Sequence, residues 1–142
     1  MKAGILAIGA IVLASAALPA VVSAETVKMK ADLKGSSEVP PNQSSGTGSI
    51  DASFDTGSRA LTWQGTYSGL TGPATAAHFH GPAEPGKNAG VAVPSPAASP
   101  IKGSATLTEA QAADLVAGKY YFNVHTAANP GGELRGQVEK AR

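Results

Sequence analysis

Short runs of alternating apolar and polar residues, each cut off by glycine or proline, recur along this chain and constrain it to β-strands. Val27, Met29, Ala31 and Leu33 alternate with Thr26, Lys28, Lys30 and Asp32, the pattern of a strand with one buried face. Ile50, Ala52 and Phe54 repeat it. After the turn Asp55-Thr56-Gly57-Ser58, Leu61, Trp63, Gly65 and Tyr67 return as the partner strand of a hairpin. Further strands are expected over Thr75–His80, Val91–Val93, Ile101–Leu107, Lys119–Thr126 and Glu133–Lys140. The polar loops between them are Gly35–Gly46, Gly81–Gly90 and Pro94–Pro100, and the turn Ala128–Gly132 joins the last two strands. One helix is expected at Thr108–Ala117: Thr108 caps it, Gln111 completes a capping box and Gly118 ends it. Many short strands, frequent turns and one small helix predict an all-β fold, an antiparallel β-sandwich or flattened barrel with one short helix.

The beginning of the chain has a different character. Lys2 is followed by an uncharged, apolar or small-residue stretch from Ile5 to Val22, and Val22-Ser23-Ala24 suits a signal peptidase. Residues 1–24 are therefore expected to be a signal peptide and residues 25–142 a single β domain, exported to the periplasm or outside the cell. About 18 apolar residues is also nearly enough for an uncleaved membrane anchor, but Pro19 and the small residues before Glu25 favour cleavage, which leaves no membrane span. Loss of Lys2 from the 11 basic residues leaves them balanced against the 10 acidic ones. Nucleic acid and anionic membranes need clustered Lys and Arg, so neither is an expected partner. Cysteine is absent, so any site here must be built from oxygen and nitrogen.

All three histidines fall inside expected strands. His78 and His80 flank Phe79, and residues two apart on a strand share a face roughly 6.6 Å apart. In the strand ending at Thr126, Phe122 and Val124 form the apolar set, which places His125 with Tyr121 and Asn123 on the other face. With Phe79, Phe122, Val124, Leu134 and Val138 turned to the core, all three histidines face outward on a polar sheet face beside Asn123, Glu133 and Arg135. Three imidazoles suit copper, with zinc as the alternative; without thiolate or a carboxylate cluster, the set suits neither calcium nor magnesium. The competing reading is a solvated His-X-His pair with a third histidine nearby by chance, because strand adjacency is not visible in sequence. Glu133 and Arg135 are candidates to pair across solvent, and Arg135 beside a metal would draw in an anion. Trp63 is expected in the core, Tyr120 and Tyr121 on opposite faces, and the helix as a cover for a sheet end. No serine–histidine–acid arrangement suggests a hydrolase, and no glycine-rich phosphate loop stands between a strand and a helix.

Three segments carry a family resemblance. Ala77-His78-Phe79-His80-Gly81-Pro82-Ala83 and Tyr121-Phe122-Asn123-Val124-His125-Thr126, followed by Asn129-Pro130-Gly131-Gly132-Glu133-Leu134-Arg135-Gly136-Gln137-Val138, resemble the CHRD (chordin-type) domain. The resemblance covers roughly Thr26 to Glu139 and includes Ser37-Glu38-Val39-Pro40-Pro41. It implies an exported immunoglobulin-like or barrel-like sandwich, and a fold and location more than a reaction. The His-X-His strand, the later Val-His strand and the Gly-rich stretch with an arginine are also similar to the Cu/Zn superoxide dismutase pattern. That similarity implies copper-ligand places for His78, His80 and His125 and an anion-guiding place for Arg135. The chain has no fourth histidine for a bridging imidazole or a full zinc site, and it lacks the cysteines. Three functions follow as expectations: first, a mononuclear copper site for binding or simple redox work. The second is a noncatalytic extracytoplasmic module binding protein or polysaccharide through loops 35–46 and 81–100, and the third, ranked last, a dismutase-like enzyme.

Overall fold

The computed structural model describes residue 4 and residues 12–142; the other residues of the expected leader, 1–3 and 5–11, lie outside them. Residues 12–24 are exposed and take no regular structure. Regular structure begins with β1 (Thr26–Lys34), β2 (Thr47–Asp55), β3 (Ala60–Ser68), β4 (Ala74–His80), β5 (Val91–Ser95) and β6 (Ile101–Thr106). It continues with α1 (Glu109–Val116), β7 (Tyr121–Thr126), β8 (Leu134–Gln137) and β9 (Glu139–Lys140). All the strand pairs are antiparallel, in the order β5-β4-β7-β8-β1-β2-β3-β6, with β9 also on β1. The ends of this order, β5 and β6, approach one another, so the sheet curls into a nearly closed barrel. That is the flattened-barrel form of the expected fold.

Closure follows from where the alternating apolar residues go. Met29, Ala31 and Leu33 of β1, Ile50 and Phe54 of β2, and Leu61 and Trp63 of β3 fill the interior with Phe79, Phe122, Val124 and Leu134. Phe79 meets Trp63 edge-on at 5.0 Å and Phe122 at 4.8 Å, an arrangement that suits aromatic quadrupoles. Trp63 satisfies its one polar atom across the gap in the barrel, donating from Nε1 to Ser95 Oγ on β5 at 2.8 Å. The helix has the expected box: Thr108 Oγ1 accepts from Gln111 N, and Gln111 Oε1 accepts from Thr108 N. Leu115 buries its inner face. Among the described residues no helix is long and apolar enough to cross a membrane.

Three boundaries differ from the sequence expectation. β5 continues through Pro94 into Ser95, which the expected loop Pro94–Pro100 did not allow; β5 lies at an end of the strand order, where the missing N–H costs no ladder bond. The strand expected over Lys119–Thr126 starts at Tyr121. The strand expected over Glu133–Lys140 breaks at Val138, whose N–H turns to Tyr120 O while its side chain stays in the core. The break lets the chain leave β7 and finish against β1 as β9.

The larger correction concerns the polar sheet face. Its parity is as expected, with Phe79, Phe122, Val124, Leu134 and Val138 inside, but it is only partly open to solvent, at the half-buried His78 and His125. Loops 35–46 and 81–90 fold over it. Asn42 Nδ2 donates to Glu133 O at 3.0 Å, and Asn88 Nδ2 joins the two loops by donating to Val39 O at 3.0 Å. Asn123 and Arg135 are each 2 % exposed beneath this cover.

Candidate metal centre

Strand register brings the histidines together. β4 and β7 are adjacent, with His78 opposite Asn123, His80 opposite Tyr121 and His125 opposite Ala76. The three rings therefore stand on one face of two paired strands. Their centroids lie 5.3 Å (His78–His80), 5.0 Å (His78–His125) and 6.0 Å (His80–His125) apart. One ring nitrogen from each falls within 4.8 Å of the others, and His78 Nδ1 is 3.1 Å from His125 Nε2. Nitrogens at about 2.0 Å from one ion are at most about 4 Å apart, so under about 1 Å of closure brings all three to a common point.

Two rings have their protonation set by the backbone. His80 Nδ1 lies 3.0 Å from Ala89 O, and His125 Nδ1 lies 2.9 Å from Pro130 O. A carbonyl oxygen only accepts, so each Nδ1 carries the hydrogen and each Nε2 keeps its lone pair. This is the support that orients metal-ligating histidines elsewhere. His80 Nε2 is buried and has no hydrogen-bond partner. Such an orphaned acceptor costs stability unless something occupies the point it faces. The residues present thus fit a cation that takes nitrogen donors.

Burial favours the neutral form of His78 and His80. Burial first, then the fields of His125 and His80, push the His78 pKa below its ordinary value. Burial is also the main cause of the lowered His80 pKa, and it outweighs the opposing pull of the Ala89 carbonyl and the nearby Asn123 amide. Neutral imidazole is the ligating form.

The surrounding groups are ordered in layers. Tyr121 stacks on His80 with ring centroids 4.8 Å apart and planes within 2°. Arg135, from β8 on the other side, sets its guanidinium carbon 3.5 Å from the Tyr121 centroid. Tyr121 Oη bonds the backbone of Ala89, the residue whose carbonyl holds His80. Arg135 donates to Lys87 O and, at 2.9 Å, to Asn88 Oδ1, so it fastens loop 81–90 to the sheet. Among the described residues it makes no ion pair. The solvent-exposed pairing expected between Glu133 and Arg135 is absent. Glu133 is fully buried at the end of β7, where Thr71, Thr126 and Asn129 donate to its carboxylate. Burial raises its pKa, but those hydrogen bonds prevail and hold it below the usual range. Glu38 differs: burial lifts its carboxyl to about 7 against the opposing field of Arg135.

Sequence reasoning brought His78, His80 and His125 to one face, with Asn123 and Arg135 beside them, and the structure places all five there. Glu133 spends its carboxylate on the neighbouring turn. The sequence places Tyr121 on the histidine face without a role, and it gives none to Glu38 or to the carbonyls of Ala89 and Pro130. Only the turn Asn129–Gly132, which returns Pro130 O to a histidine five residues earlier, left a trace in the sequence.

The CHRD domain family model matches residues 29–138. The chain belongs to the CHRD domain family. Within this CHRD domain the matched span runs from β1 to Val138 and contains all three histidines together with Glu38, Tyr121, Asn123, Glu133 and Arg135. No curated protein and no solved structure matches the chain significantly.

Proposed function

We propose that this CHRD domain is exported and binds one copper ion through His80 Nε2, His125 Nε2 and His78 Nδ1, for copper binding or a simple redox role. The observation that carries the reading is the buried, partnerless His80 Nε2 aimed into a cluster whose other donors lie within 4.8 Å. An all-nitrogen neutral donor set favours copper, followed by zinc, over harder ions. Bound there, copper would supply one-electron redox chemistry at a position that three ligands leave open. The protein's own part is to hold two rings by their Nδ1 hydrogens, to brace His80 with Tyr121, and to screen the face with loops 35–46 and 81–90. In this reading Arg135 supplies positive charge behind Tyr121; its burial gives it no direct route to steer an anion from solvent.

The test is metal analysis and EPR on protein exported in copper-supplemented medium. About one equivalent of copper with nitrogen couplings from three imidazoles is expected, and His80→Ala should lower affinity at least about 100-fold. Copper below about 0.1 equivalent, or binding unchanged in His80→Ala, overturns the reading. Zinc retained in preference to copper under competition would replace the metal and keep the site. Melting unaffected by either metal, with a protein or polysaccharide partner recovered, would leave a noncatalytic envelope module instead.

A further inference from the structure

Asn123 holds the other orphaned atom of the covered face. Its Nδ2 end is pinned by Glu38 Oε1 at 3.4 Å and Gly131 O at 3.5 Å. Gly132 closes the space beside that end: a side chain there would overlap both Glu38 Oε1 and Asn123 Nδ2. Two acceptors at that end favour the amide with Nδ2 toward them and Oδ1 on the side of His80. Asn123 is the cross-strand partner of His78, and its side chain also bears on the His80 ring. Asn123 is 2 % exposed, yet Oδ1 finds no donor, and neither does His80 Nε2. Both are acceptors, since the His80 hydrogen is committed to Ala89 O. An ion at the ring nitrogen answers only one of them. The amide oxygen still needs a hydrogen.

We propose that Asn123 Oδ1 accepts a hydrogen bond from a small hydrogen-bearing ligand, water in the resting protein, held at the open position of the three-histidine copper site. The inference rests on the copper reading and adds a selectivity to it. Water, hydroxide and amines satisfy the oxygen, whereas hydrogen-free anions such as azide meet its lone pairs. Glu38 is a positioning residue that keeps the amide from turning over.

The experiment uses the full exported chain loaded with one equivalent of Cu(II). Proton ENDOR in H2O and D2O should show exchangeable hydrogens close to copper in the wild type. Azide titration should give roughly tenfold tighter binding in Asn123→Ala, which removes the acceptor, and weaker binding in Asn123→Asp, which keeps one and adds charge. A purely structural Asn123 would lower stability in Asn123→Ala while leaving azide affinity and proton couplings unchanged, and that result overturns the proposal. If Asn123→Ala does not fold, wild-type ENDOR and Asn123→Asp decide: no exchangeable hydrogen beyond the weakly coupled imidazole N–H groups, or equal azide affinity, overturns it. Wild type that takes up no copper overturns the copper reading and this inference with it; wild type that loads copper but shows no azide effect overturns the Asn123 role alone.

Discussion

Tyr121 does two jobs with one side chain. Its ring lies flat against His80, and its hydroxyl bonds the backbone of Ala89, whose carbonyl holds the same histidine. Tyr121→Leu would keep the volume roughly filled while losing both supports, so copper affinity should drop about 10-fold, read by competition with a chelator of known affinity. Glu38 gives a stability effect of definite sign. Its folded-state pKa of about 7 stands above the ordinary 4.5, so the fold holds this proton more tightly than the unfolded chain does. The stability it contributes is complete below about 4.5 and is lost as pH rises through about 7. Glu38→Gln should therefore gain on the wild type between pH 5 and 8, by about 2 kcal/mol in urea unfolding once solvent screening is allowed for. His78 and His80 act in the opposite sense, because their folded pKa values are depressed. Their contribution is present above about 6.5 and is lost as pH falls through the folded values, so the metal-free Glu38→Gln protein should weaken steadily with acidification.

Among the elements, β8 is the narrow link between the histidine-bearing strands and the rest of the barrel. It pairs with β7 over four positions but with β1 at Lys34–Arg135 alone, and Gly136 lets the two backbones approach. A methyl group at Gly136 would overlap the backbone of Asp32. Gly136→Ala should cost about 3 kcal/mol in chemical unfolding and weaken copper binding as β7 loses its support. Thr108→Ala removes the helix cap far from the histidines; a loss of about 1 kcal/mol with copper affinity unchanged is the matching control. The contrast between these elements also shows what was legible in advance. The strands of the β2–β3 hairpin and the capped helix followed from local pattern, since period-two alternation and a capping box are properties of neighbouring residues. The same parity put three histidines on one face. Covering of that face was not readable, because it depends on Asn42, Asn88 and Arg135 making bonds to segments tens of residues away. The turning away of Glu133 escaped for the same reason: its partner Thr71 is 62 residues distant.

For the whole molecule, the barrel starts where the expected leader stops. Glu25 O accepts from Thr56 N at 3.0 Å and Glu25 N donates to Thr56 Oγ1 at 3.0 Å, whereas residues 12–24 are exposed throughout. Exported protein should begin at Glu25 by N-terminal sequencing, and this form should melt within about 2 °C of the full-length chain, as expected from the exposure of residues 12–24. A start at Met1 would refute the leader. Copper should raise the melting temperature of either form in proportion to the logarithm of its free concentration above the dissociation constant.

The contact between His78 Nδ1 and His125 Nε2 sets the bookkeeping of hydrogen on loading. Without an ion, His78 must lend its hydrogen from Nδ1 to His125, because His125 already has its own fixed at Pro130. Among the described residues, His78 is the one ring of the three whose far nitrogen meets no backbone carbonyl. Taking up a cation at Nδ1 then asks His78 only to move that hydrogen across its own ring, a tautomer shift with nothing released to solution. Above about pH 7 the heat of copper uptake should consequently be the same in buffers of very different ionisation enthalpy.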